Sequence, residues 1–343
     1  MKEFSHNMVP LRPREEGDFF DSEGDRDFFD EGDDYASYYQ NLINRNNYSQ
    51  YKYVQPDKTG HDFLRDMCKV RDIYSSGVSD LNPLTNRALF IISTLNELNV
   101  PYKLDIFNRH NSYNFSYNEP KLCNIIVEFK STSEEPAILF DSHYDVVNIN
   151  SDNAQDNTAS VCNLLHLCKI LSKETPNRRT IIVFSSGEEC GMLGASHLTT
   201  QIKQKEYGEI GISYILELTG LGQACWVDTK NYNAKQDCRA VKRIEEVFGK
   251  KKFHHVSTPP SNVGQFRSKG LDAVCIGILP KEDIVAHKLW GICHSNSDSF
   301  EKTSRKDMQD FTDVLFQIVQ HKSKSEPQPK TIPELSGENT SEA

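Results

Sequence analysis

A doubly wound, three-layer αβα globule with a mixed, mostly parallel central sheet is the fold that this sequence predicts, and two observations predict it. Short β-type apolar runs alternate with helix-length segments of 3.6-residue periodicity through the middle of the chain. The residues best equipped for chemistry fall where those apolar runs end, which is where sites in parallel sheets are built.

Residues 1–58 come before that pattern. They are crowded with Asp, Glu, Asn, Tyr and Gly and carry no sustained apolar period, so they predict a disordered acidic tail. Inside it GDFFDSEGD at 17–25 is echoed by RDFFDEGDD at 26–34. Paired Phe residues among acids suit a docking peptide for a protein partner, and a solvated acidic tail is the plainer alternative. The predicted globular domain spans 59–321, and the Ser-, Pro- and Glu-rich 322–343 reads as a second disordered tail.

Within 59–321 the elements follow in order. Helical spacing covers 61–75 and 86–98, and β-type runs cover 125–129 and 137–140. A helix at 158–171, a buried strand at 180–185, a helix at 194–205, a strand at 212–218, a helix at 235–248, a strand at 273–279 and an amphipathic helix at 306–320 complete the alternation. Segments 221–228, 259–266 and 280–291 read as loops that would wall a pocket, with Phe266 and Trp290 as lining or core residues.

Composition narrows the function. Acidic residues outnumber basic ones 49 to 39, for a formal charge of -10, which argues against nucleic acid as the principal partner. The apolar runs are far shorter than the roughly 20 residues of a membrane-spanning helix, and the N-terminus lacks the basic start and apolar stretch of a secretory signal. A cytoplasmic protein is therefore the expectation. Nine cysteines without a CxxC pair fit reduced thiols packed as small core residues, with Cys293 set apart by its neighbour His294.

The chemistry-bearing residues arrive singly, and each has an ordinary reading. His143 leaves an apolar run with Asp145 two residues on, able to take the proton of the second ring nitrogen; alone it is an ordinary strand-end His. Asp156 stands at a loop-to-helix junction, where it could cap the helix or bridge two cations. Glu188 and Glu189 end the next apolar strand side by side, a costly arrangement unless water or cations hold them. Glu217 is the single acid of another apolar run, and His294 precedes the last helix. What raises the metal reading is the set, because all five potential ligands fall at strand ends of one alternating chain. In a metal hydrolase one of two neighbouring glutamates binds the ion while the other moves the proton.

His143-Tyr144-Asp145, Asp156-Asn157, Gly187-Glu188-Glu189-Cys190-Gly191, Glu217-Leu218-Thr219-Gly220 and His294 with Asp298, at spacings of 13, 33, 28 and 77 residues, resemble the M28 zinc aminopeptidases and carboxypeptidases over roughly 60–320. The resemblance implies Asp156 bridging two zinc ions (cobalt or manganese being alternatives), His143 and Glu217 completing one protein shell, and Glu189 and His294 the other. It also implies Glu188 as general base, Asp145 in support, a cis peptide at Asp156-Asn157, and peptides as substrates. Two positions depart from the family pattern: Glu217 stands where Asp is common, and Ser261-Asn262 where Ser-Asp is frequent. The rivals are a glutaminyl cyclase-like fold, which uses one zinc, and a catalytically silent relative serving as a binding protein.

Overall fold

The computed structural model describes residues 57–72, 83–109, 120–229, 238–248, 253–285 and 291–322. The acidic repeat at 17–34 and, apart from residue 322, the C-terminal tail expected over 322–343 lie outside the described residues, as does Trp290. Among the described residues the strands are β1 (Tyr102–Asn108), β2 (Lys121–Phe129), β3 (Ala137–His143), β4 (Thr180–Ser185), β5 (Ile210–Leu216), β6 (Ala224–Asp228), β7 (Phe253–Val256) and β8 (Ala273–Leu279). The helices are α1 (Gly60–Met67), α2 (Asn86–Glu97), α3 (Ala159–Leu171), α4 (Leu193–Lys203), α5 (Arg239–Phe248), α6 (Val263–Ser268), α7 (Lys281–Val285) and α8 (Arg305–Gln320).

The strands join one sheet in the order β1-β2-β4-β3-β5-β8-β6-β7. Its middle, β4-β3-β5-β8, is parallel, because each crossover between those strands carries a helix over a face of the sheet. β2 pairs antiparallel with β1 and β4 on one side, and β6 antiparallel with β8 on the other. β3, β4 and β8 are buried along their whole length, which explains why they read as continuous apolar runs. Strand pleating sends alternate residues to opposite faces. Ile138 and Phe140 join a core with residues of α1, α2, α3, α5 and α8, while Leu139 joins one with α4 and α6. The result is the expected three-layer, mixed, mostly parallel architecture.

Local readings differ in places. The helix expected over 61–75 stops at Met67, because the Arg71 guanidinium folds back onto the Cys68 carbonyl and Asp72 turns away to accept the Arg87 amide at 3.2 Å. The strand read at 125–129 begins at Lys121. Three strands were not predicted, β1, β6 and β7, all near the sheet margins, where apolar runs are short. The loop expected at 259–266 contains the start of α6, and Phe266 is 0% exposed in the α4/α6 core, so it packs the core and lines no pocket.

Candidate metal centre

Parallel pairing sets three strand ends level. His143 is the last residue of β3 and pairs with Ser185, the last of β4. Asp141 pairs with Ile215 of β5, so two steps further on Glu217 stands level with His143. The loop leaving β4 carries Glu188 and Glu189, and Asp145 holds it. Its carboxylate accepts the backbone N–H of Glu188 at 3.2 Å and of Glu189 at 3.1 Å, and the His143 Nδ1 lies 3.2 Å from its backbone carbonyl and 3.4 Å from its carboxylate. Asp145 therefore orients one imidazole and one glutamate pair from behind.

Asp156 sits in a wide turn, Ala154–Thr158, where its backbone leaves helical geometry (φ -114°, ψ 88°) and the bond to Asn157 is cis, as expected. The turn is tied down from three directions. Asp298 accepts the N–H of Gln155 at 2.7 Å and of Asp156 at 3.0 Å; Asn157 donates to the Leu216 carbonyl at 2.7 Å; Gln155 accepts the Gly220 N–H at 3.0 Å. His294 enters from a loop in the left-handed region (φ 60°) that Ser151 binds through the Ser295 and Asp298 carbonyls.

The two oxygens of Asp156 face different partners. Oδ1 lies 3.4 Å from His143 Nε2, which is itself 3.6 Å from Glu217 Oε2. Oδ2 lies 3.3 Å from His294 Nε2, which is 2.9 Å from Glu189 Oε2. Nitrogen and oxygen donors about 2.0–2.1 Å from an ion at the tetrahedral angle stand roughly 3.3 Å apart, so both trios have the spacing and donor chemistry that suit zinc. Glu188 joins them, since His143, Glu188 and Glu189 offer atoms within 4.8 Å of one another. All five residues read as ligands, and Glu188, thus come together in space.

The electrostatics point the same way. Burial, reinforced by neighbouring carboxylates, pushes Glu188 up to about 8 and Glu189 up to about 9. Burial also raises Glu217. For His143 burial opposes the charge, but Glu217, Asp145 and Asp156 outweigh it and hold its proton well above the usual range. Asp156 is opposed by burial too, yet the His143 hydrogen bond and both imidazoles bring it below its ordinary value. Without a cation, the cluster keeps protons to limit its negative charge. Cys293 contacts the Asp156 carboxylate, and burial first, then Asp156, Asp298 and Glu217, push its thiol up, which disfavours the thiolate. Six of the nine cysteines are buried, as expected of core residues.

Asn124 serves the site without having been singled out from sequence, and Asn262 was marked there only as a departure from the family pattern. Asn124, 0% exposed on β2, accepts the Ser186 N–H at 3.2 Å and donates to the Gly194 carbonyl at 3.1 Å, clamping both ends of the glutamate loop. A single Asn inside the apolar run 122–127 was the available signal. Asn262 donates to Asp141 at 2.9 Å and Ser185 at 3.0 Å. It therefore ties α6 to the strands beneath the cluster.

Comparison with known proteins adds an independent line. The profile of peptidase family M28 matches residues 124–319. Aminopeptidase YwaD of Bacillus subtilis is 22% identical over 209 residues, covering 59% of this chain and 45% of YwaD. The chain spans less than half the length of the curated relatives it matches. Among solved structures, LapB from Legionella pneumophila superposes with a TM-score of 0.60 at 13% identity, covering 79% of this chain and 73% of LapB. A glutaminyl cyclase from Bacteroides thetaiotaomicron, bound to N-acetylhistamine, superposes with a TM-score of 0.58 at 13% identity over 77% of this chain and 97% of its own. No helix among the described residues is long and apolar enough to cross a membrane.

Proposed function

Because this chain belongs to peptidase family M28, we propose that it is a zinc-dependent exopeptidase removing N-terminal residues from peptides. Two zinc ions would be held by His143, Asp156, Glu189, Glu217 and His294. The observation that carries this reading is the division of the Asp156 carboxylate, one oxygen towards His143 and the other towards His294. A carboxylate placed to serve two nitrogen donors at once suits a bridge between two cations.

When bound, the zinc pair would supply Lewis acidity and the acidification of water that hydrolysis needs near neutral pH. Glu188 takes the proton of the attacking water and passes it to the leaving amine. Its position against His143 and Glu189 puts it within reach of both trios. Burial, the largest cause, raises its pKa to about 8 without a cation, in the direction that favours a proton acceptor. Asp145 fixes the tautomer of His143 and the backbone of the glutamate pair. The domain at 59–321 would be the catalytic unit, with the acidic repeat available to a protein partner.

A single-zinc glutaminyl cyclase is the second reading, favoured by the fold likeness over nearly the whole of the Bacteroides enzyme. The trio Asp156, Glu189 and His294 would be enough for one ion; the additional donors His143 and Glu217 favour the peptidase. Elemental analysis separates them. Two zinc ions per chain with release of free amino acids from aminoacyl chromogenic substrates is the expected result. One ion with pyroglutamate formed from N-terminal glutamine would overturn it.

A further inference from the structure

The loops that carry His143 and Asp156 are joined by a residue that lies before the family match begins. Arg87, on α2, is 1% exposed although it is charged. It shares a helical face with the buried Ile91 and Leu95, a place where the sequence pattern calls for an apolar side chain. A buried guanidinium is tolerated only when hydrogen bonds replace its water. Two such bonds are in place: Nε donates to the Tyr144 carbonyl at 2.7 Å, and Nη2 donates to the Thr158 hydroxyl at 2.5 Å.

Those acceptors are placed to matter. Tyr144 lies between His143 and Asp145, and its own amide donates to the Ser185 carbonyl at 3.0 Å. Thr158 closes the turn that contains Asp156, with its hydroxyl passing on to the Asn153 carbonyl at 2.6 Å. One rigid fork therefore spans the backbone behind His143 and the turn behind Asp156, whose donor atoms face each other at 3.4 Å. Asp72 in turn holds the helix by accepting the Arg87 amide at 3.2 Å.

We propose that Arg87 is a positioning residue for metal binding, bracing the His143 loop against the Asp156 turn so that their donors keep the separation that an ion requires. This rests on the zinc reading above. A lysine cannot substitute, because a point ammonium on a flexible stem lacks the planar fork that fixes two acceptors relative to each other.

The test sets Arg87→Met and Arg87→Lys beside Arg243→Met in the full-length protein. Arg243 is also a buried arginine, 3% exposed, and donates to the Ile318 and His321 carbonyls at 2.9 and 2.5 Å, at the end of the last helix and in none of the loops that carry the candidate ligands. Zinc affinity is read by competition with a chromophoric chelator, and melting temperature is read on zinc-free protein. Both methionine variants are expected to melt lower, but only the Arg87 variants should lose zinc affinity, by ten-fold or more, as removal of partners behind a ligand typically does. Arg87→Lys should recover melting temperature more than affinity. Thr158→Val, which keeps shape and removes one acceptor, should weaken zinc binding in the same direction and serves if Arg87→Met does not fold. Wild-type affinity in the Arg87 and Thr158 variants, or an equal loss in Arg243→Met, overturns the brace while leaving the zinc reading intact. A wild-type protein that binds no zinc overturns both.

Discussion

The two halves of the candidate centre are made differently. His143 and Glu217 extend from neighbouring parallel strands and are 1% and 4% exposed. Glu189 and His294 come from loops; the Glu189 side chain is as covered as that of Glu217, 5% exposed, and it is the His294 side chain, 54% exposed, that opens this half to solvent. Asp156 stands between them. Strand pairing fixes the first half through the backbone ladder of the core, whereas the second depends on the clamps that Asp145, Asp298 and Ser151 place on irregular chain. The difference teaches that the first half is tied to folding through strand pairing, while the second reaches solvent through His294.

The largest expected effect is common to both halves. Glu188→Gln should lower kcat by a factor on the order of 10² to 10⁴, with zinc content by elemental analysis unchanged; retained turnover would remove Glu188 as the base. The next separates the halves. His143→Ala leaves the Glu217 carboxylate buried without its partner and should cost about 3 kcal/mol in denaturant unfolding of the zinc-free protein. His294→Ala, on the open side, should stay within about 0.5 kcal/mol. Equal costs would erase the distinction.

Metal removal is a finer probe. Limited dialysis against a weak chelator should take the ion of the open half first, leaving a species with one zinc per chain, and EXAFS of that species should retain the His143 signal when His294 is replaced. Simultaneous loss of both ions would mean the halves act as one site.

A probe shared by both halves is pH dependence. Glu188 and Glu189 bind protons in the folded, zinc-free protein up to about 8 and about 9, well above the carboxylate range near 4.3 expected when unfolded. Between those values the native state holds more protons than the unfolded one, so stability falls as pH rises, by at most about 1.4 kcal/mol per pH unit for each proton retained. The raised His143 adds to the same trend above its unfolded value of about 6.5. Zinc-free protein should therefore melt progressively lower from pH 5 to 9, and zinc should flatten the slope because it displaces those protons. A zinc-free melting temperature that rises over this range would contradict the raised carboxylates.

Much of this was legible without coordinates. Donor type is a property of the residue itself, and a strand end is announced by where an apolar run stops, so His143, Glu188, Glu189 and Glu217 could be read locally. The middle strands could be read for the same reason, since burial on both faces demands unbroken apolar runs. Only the tertiary structure decided what holds those donors. Asn124 meets Ser186 across 62 residues, Arg87 meets Tyr144 and Thr158 across 57 and 71, and Asp298 meets Asp156 across 142. It also decided the short marginal strands, such as β6 and β7, which exist because a partner strand satisfies their backbone. A hydrogen bond between distant segments leaves no period in either of them, so it becomes visible only when the fold has brought its two ends within about 3 Å.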